Sequence, residues 1–202
     1  PLNTQTSIIT KFNIDELPMG TPPGIGSADN KNAFSEAVEA LQRARRVLVR
    51  VGGGGRKAGN ELLRFMEVTD AVAVTSPLVS GVIPYDNSRN MTVGGSKGSL
   101  CGNYAMENAD LLVVVGSRFV CQSDCSRTAY PNVNHVININ TDLEDATHYG
   151  RTTAMVGDAA KTLERLTAIL KRDVGQSQNA MSSWMSECNA KRREWEVFKA
   201  KR

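Results

Sequence analysis

Four consecutive glycines, Gly52 to Gly55, followed by Arg56 and Lys57, are the residues whose spacing most directly suggests chemistry. A backbone without Cβ atoms approaches a ligand closely, and the first amides of a following helix favour anions, so this turn could hold a phosphate. The run GGGGRKAG fits neither GxGxxG nor the phosphate-loop pattern GxxxxGK[ST]. Read alone, it could equally be a set of small residues that let a strand and a helix pack tightly. Three more loops carry suitable polar groups: Gly116-Ser117-Arg118, Asn140-Thr141-Asp142 and Gly157-Asp158. An arginine neutralises a pyrophosphate, and Asn or Asp hydrogen-bonds ribose hydroxyls or an adenine edge. Together these groups suit a dinucleotide or ADP-like ligand better than any one motif does.

Other chemistry finds no support. The chain has no HExxH, and Cys101, Cys121, Cys125 and Cys188 are irregularly spaced, with neither paired CxxC motifs nor a Cys/His zinc pattern. They read as ordinary reduced thiols. His135, at a strand start, and His148, in a loop, read as surface or packing histidines.

These loops need elements to position them. Asp29 or Asn30 can cap a helix running to Arg46, with Phe34, Val38 and Leu41 at helical spacing. Val47 to Val51 is a short β-branched strand that runs into the glycines, and Lys57 to Thr69 is an amphipathic helix through Leu62, Leu63 and Met66. The unit then repeats: strand Ala71 to Thr75, helix Leu100 to Asn108, strands Leu111 to Val115, His135 to Asn140 and Ala154 to Val156, and helix Ala160 to Leu170. Strands alternating with helices imply a parallel sheet covered on both faces. In such sheets ligands bind beyond the carboxyl ends of the strands, where all four loops fall.

The flanks differ. Pro18, Pro22 and Pro23 with Gly20, Gly24 and Gly26 make residues 1–29 a linker. Beyond Lys171 a polar stretch precedes a helix over Met181 to Lys199 with Trp184, Met185, Cys188, Trp195 and Phe198, which must cover either this domain's core or a body beyond it.

At 202 residues, with 41% hydrophobic, 22% charged and 5% aromatic content, the chain is expected to be one soluble α/β domain with tails. No apolar stretch approaches the roughly 18 to 20 residues of a membrane helix, and no signal peptide is evident, so no membrane partner and a cytoplasmic location are expected. The start at Pro1, without an initiator Met, is read as a piece of a longer protein. The net charge of +3 is concentrated in residues 191–202, which leaves the body near neutral and argues against nucleic acid.

The order of motifs resembles the central domain of thiamine-diphosphate-dependent enzymes. The resemblance rests on Arg46 to Gly55, VTSPLVSGVIP over 74–84, Gly94 to Gly98, NADLLVVVGSRF over 108–119, Val136 to Asp142 and Gly157-Asp158, and spans about residues 35–170. Acetohydroxyacid (acetolactate) synthase and trihydroxycyclohexanedione hydrolase belong to this family. The resemblance implies a Rossmann-like doubly wound, mainly parallel six-stranded sheet with helices on both faces. It also implies a linker from a pyrimidine-binding domain over 1–29, a central domain over 30–172, and over 173–202 a linker and helix leading to a diphosphate-binding domain.

In the family, thiamine diphosphate and magnesium lie between those two other domains, so this chain alone is expected neither to bind them nor to catalyse a reaction. The parent would be a lyase or transferase working next to a carbonyl, and a homo-oligomer. Some relatives hold FAD or ADP in the central domain. The candidate cofactor-binding set is Gly52, Gly53, Gly54, Gly95, Gly98, Gly116, Ser117, Arg118, Asn140, Asp142 and Asp158, with no catalytic or metal-binding residue. Gly95-Ser96-Lys97-Gly98 stands where the family frequently has Gly-Met-His-Gly. Asn140 replaces a common acidic residue, and Val120-Cys121 an acidic pair. These departures weigh against FAD and leave an ADP-like ligand or a vacant site open. The competing readings are a free-standing NAD- or FAD-binding protein of the same fold, and an interaction module built on the Trp-bearing helix.

Overall fold

The structure, a computed structural model, describes residues 31–174 and 182–201. The expected linker over 1–29 and the Asp29 or Asn30 cap lie outside them. Six strands form one sheet: β1 (Val47–Val51), β2 (Val72–Thr75), β3 (Asn90–Val93), β4 (Leu111–Val115), β5 (His135–Asn140) and β6 (Thr152–Val156). Their spatial order is β3-β2-β1-β4-β5-β6 and every pairing is parallel. The sheet is therefore wholly parallel and doubly wound, and its order reverses between β1 and β4.

The central strands are buried throughout, as their unbroken runs VLVRV and LLVVV require of a sheet covered on both sides. On one face lie α1 (Lys31–Arg43), α2 (Gly59–Thr69) and α6 (Ala159–Val174). Phe34, Val38 and Leu41, then Phe65 and Met66, then Leu163, Leu166 and Leu170 seal them against Val49, Val51 and Val113. On the other face lie α3 (Leu100–Asn108) and α7 (Ser183–Ala200), packed with Leu48, Leu112 and Val114. Two short helices, α4 (Cys121–Asp124) and α5 (Leu143–Ala146), follow β4 and β5.

The caps follow from residue type. Ser99 Oγ accepts from Gly102 N at the start of α3, and Ser182 does the same for Met185 N in α7. Asp70 ends α2 in the left-handed region at φ 52°, and Arg89 pairs with its carboxylate at 2.9 Å. Helix α1 stops at Arg43, short of the expected Arg46, because the amides of Arg45 and Arg46 are both held at 2.9 Å by the Asp110 carboxylate.

The resemblance implies six strands, the residue pattern places only five, and β3 is the sixth. Its Asn90 is buried and donates to the carbonyls of Ile83 and Pro84, Thr92 sits at φ 65°, and the register against β2 shifts between Ala73 and Thr75. A four-residue edge strand that uses its polar side chains to hold the preceding loop lacks the apolar run by which a strand is read.

The Trp-bearing helix divides. Trp184 is buried, donates from Nε1 to Val47 O at 3.2 Å, and lies under the Arg46 guanidinium, 5.3 Å from its ring centroid. Arg46 in turn pairs with Glu187. The first half of α7 therefore belongs to this domain's core. In the second half Val197 and Phe198 are exposed.

Candidate functional site

A cleft of about 620 Å³ opens at the carboxyl ends of β1, β4 and β5. Of the candidate residues, Gly52, Gly53, Gly54, Gly116, Ser117, Arg118, Asn140 and Asp142 line it. Gly95, Gly98 and Asp158 are not among its lining residues. Gly95, at φ 119°, donates its amide to Asn103 Oδ1, and Asp158 accepts from Lys161 N at the start of α6.

The glycine turn has two roles that its sequence could not separate. A Cβ on Gly52 would stand 2.4 Å from Gly116 O, and one on Gly116, itself at φ 60°, would stand 2.4 Å from Gly54 Cα. These glycines let the β1 and β4 turns touch at the point where the strand order reverses. Around Gly53 a Cβ would meet nothing within 4 Å, so this position faces open space. The expected cradle of helix amides is reduced, because Gly52 N, Gly54 N and Gly55 N already donate to Val115 O, Gly116 O and Gly52 O. Gly53 to Gly55 form a tight 3₁₀ turn, and α2 begins only at Gly59.

Several polar candidates are likewise engaged. Asn140 is buried and donates to Ser117 O at 3.1 Å, tying the end of β5 to the end of β4. Asp142 Oδ1 caps α5 by accepting from Glu144 N and Asp145 N at 2.8 and 3.0 Å. Ser117 Oγ accepts from Phe119 N. These side chains shape the cleft; Arg118, exposed at its rim, has a free hand to meet a ligand.

Residues outside the candidate set complete the lining: Arg50, Ser76, Leu78, Lys97, Phe119, Gln122 and Thr141 among them. Lys97 adds a second exposed cation. The loop carrying it is tied to α4, since Ser96 N and Ser96 Oγ both donate to Gln122 O. Phe119 is buried and stacks on His148 at 4.9 Å, with Tyr149 edge-on at 4.8 Å. Behind them the buried Asp124 carboxylate accepts from Tyr149 OH at 2.7 Å and faces His148 Nε2 at 3.3 Å. Burial, reinforced by Asp124, pushes the Tyr149 phenol far up, so it remains a donor. Arg50 was missed although its signal is plain: it is the one charged residue inside the apolar run VLVRV.

Among the described residues, no group of three or more His, Cys, Asp or Glu side chains is placed to hold a metal ion. Cys101 and Cys188 are buried, and burial raises the Cys188 thiol far above its ordinary range. No helix among the described residues is long and apolar enough to cross a membrane.

A wholly parallel sheet in the order 3-2-1-4-5-6, with a glycine turn and an open cleft where the order reverses, defines a doubly wound α/β domain of the dinucleotide-fold type. The family described as thiamine pyrophosphate enzyme, central domain, matches residues 34–166, and the chain belongs to that family.

The chain is 29% identical over 159 residues to 3D-(3,5/4)-trihydroxycyclohexane-1,2-dione hydrolase of Listeria monocytogenes serotype 4b (strain F2365), a match covering 78% of this chain and 25% of that protein. It is similar also to the chloroplastic acetolactate synthase 1 of Oryza sativa subsp. japonica, at 27% identity over 178 residues, covering 86% of this chain and 28% of the relative. The Zea mays acetolactate synthase 1 matches at 27% over 184 residues, covering 89% and 29%. The chain thus spans between a quarter and three-tenths of the length of these relatives.

Proposed function

We propose that this chain serves as the noncatalytic central domain of a thiamine-diphosphate-dependent lyase or transferase, and that its cleft holds an ADP-like group, as ADP or as the adenylate half of FAD. The observation that carries the reading is the cleft's position at the switch point, with Arg118 and Lys97 exposed at its rim and open space over Gly53. A cationic rim and a Cβ-free turn accommodate a pyrophosphate, and Phe119, Val120 and Leu78 offer apolar surface for a base.

Thiamine diphosphate and magnesium belong, in this reading, to pyrimidine- and diphosphate-binding domains outside these residues, where the cofactor supplies the electron sink for chemistry next to a carbonyl. This chain's part is to bind and orient the nucleotide and to join those domains, in a parent that assembles as a homo-oligomer.

The test is the visible absorption spectrum of the purified chain, followed by thermal shifts with FAD, ADP, NAD and thiamine diphosphate. The expected outcome is stabilisation by ADP or FAD and none by thiamine diphosphate. Stabilisation by thiamine diphosphate alone would overturn the reading.

A further inference from the structure

Arg50 is the penultimate residue of β1, in register with Val74 of β2 and Val114 of β4, and is completely buried. Its Nη1 donates to Gly94 O at 3.0 Å, while Nε and Nη2 have no hydrogen-bond partner. Among the described residues no carboxylate pairs with it. A guanidinium cannot escape by losing its proton, as a buried lysine can, so its charge persists in the interior. An uncompensated buried charge costs several kcal/mol.

The neighbouring groups do not relieve it. The buried carboxylate Asp124 is engaged elsewhere, its Oδ2 by Tyr149 OH and His148 and its Oδ1 by Arg127 N. Tyr130 OH is buried with no partner at good hydrogen-bond geometry, but it faces the Arg50 guanidinium as a weak, uncharged acceptor. Burial pushes the Tyr130 phenol up to about 12, against the opposing pull of Arg50, so at neutral pH it remains uncharged. One unpaired acceptor shares this face of the sheet, Asn138 Oδ1, in register two strands away; it bears no charge to neutralise Arg50. Arg50 lines the cleft, as do Arg118 and Lys97 at its rim.

We propose that Arg50 is the floor of an anion subsite in the cleft, where its free Nε and Nη2 receive an anionic oxygen group, phosphoryl or carboxylate, of the bound molecule. The inference rests on the nucleotide reading of the cleft only for the rest of that molecule's identity. Two unpaired guanidinium nitrogens and one permanent positive charge, with no protein anion to meet them, select an acceptor that carries negative charge; a neutral ligand would leave the charge unpaired.

The test is isothermal titration calorimetry of the 202-residue chain, R50M and R50K with ADP, adenosine, orthophosphate and succinate, together with ligand-free melting temperatures. For R50M the expected result is a loss of about 30-fold in ADP affinity, the scale of hydrogen bonds to a charged group. Adenosine affinity should be unchanged, and the ligand-free melting temperature no lower than that of the parent chain. R50K, which keeps the charge but loses the planar fork, should fall between the two. Should the parent chain bind orthophosphate or succinate in an Arg50-dependent way but not ADP, the subsite stands and the nucleotide reading falls. Equal ADP affinity in R50M and the parent chain, no binding of any anion by the parent chain, or a marked drop in the ligand-free stability of R50M would overturn the subsite.

Discussion

The two ends of the sheet treat their polar groups in opposite ways. At the amino end, Asp110 accepts the amides of Arg45 and Arg46, Trp184 donates to Val47 O, and Arg46 lies between the indole and Glu187. At the carboxyl end the turns of β1 and β4 touch through glycines, two cations stand exposed, and Arg50 retains unpaired donors beneath them. Both ends are built from the same strands. The paired end contributes stability, and the end with unmatched donors is the one where the proposed ligand would bind.

Substitutions at the paired end should cost stability and leave ligand response intact. Trp184→Ala removes the largest fully buried side chain and its bond to β1, and should destabilise the chain by about 3–5 kcal/mol in urea unfolding. A loss below about 1 kcal/mol would mean that α7 is not part of this core. At the junction of the two turns, Gly116→Ala meets the Gly54 backbone at 2.4 Å with φ at 60°, and should cost about 2–3 kcal/mol and also abolish ligand-induced thermal shifts. Asp110→Ala strips two backbone amides of their acceptor, for about 1–2 kcal/mol, with ADP affinity unchanged.

Burial of Tyr130 makes part of the stability depend on pH. Tyr130 has a folded pKa of about 12 against an ordinary value of 10.0. Because the folded value is the higher, its contribution is complete below pH 10 and is lost as pH rises towards 12. Denaturant titrations across that window should show a shallower decline for Tyr130→Phe than for the parent chain; identical slopes would place Tyr130 outside the buried set. Smallest of all, Gly53→Ala should change stability by no more than about 0.5 kcal/mol, since its Cβ meets nothing, yet it should weaken nucleotide binding by narrowing the turn.

The contrast also explains which parts of the molecule were legible beforehand. Strands β1, β4 and β5 and helix α3 have the bounds read from the sequence, because each is an apolar run, or a capped helical repeat, closed by punctuating residues. Edge strand β3 was invisible because Asn90 and Thr92 serve the adjoining loop and only Met91 enters the core as a fully buried apolar residue. The cleft's location was legible from the strand order, since eight of the eleven candidate residues line it. What each residue does besides was not: Asn140 and Asp142, read in the sequence as ligand contacts, also brace the loops. Arg50 looks like an interruption in a strand and turns out to be the charge without a partner. Residue type identifies possible bonds, and only geometry shows which are already made.

The account's central claim is that the carboxyl end of the sheet is a site for an anionic, ADP-like molecule. Its most direct test is a calorimetric titration of the purified chain with ADP beside an identical titration with thiamine diphosphate. Saturable binding of ADP at one equivalent, with no heat from thiamine diphosphate, is the expected result. Binding of thiamine diphosphate without any binding of ADP would contradict it.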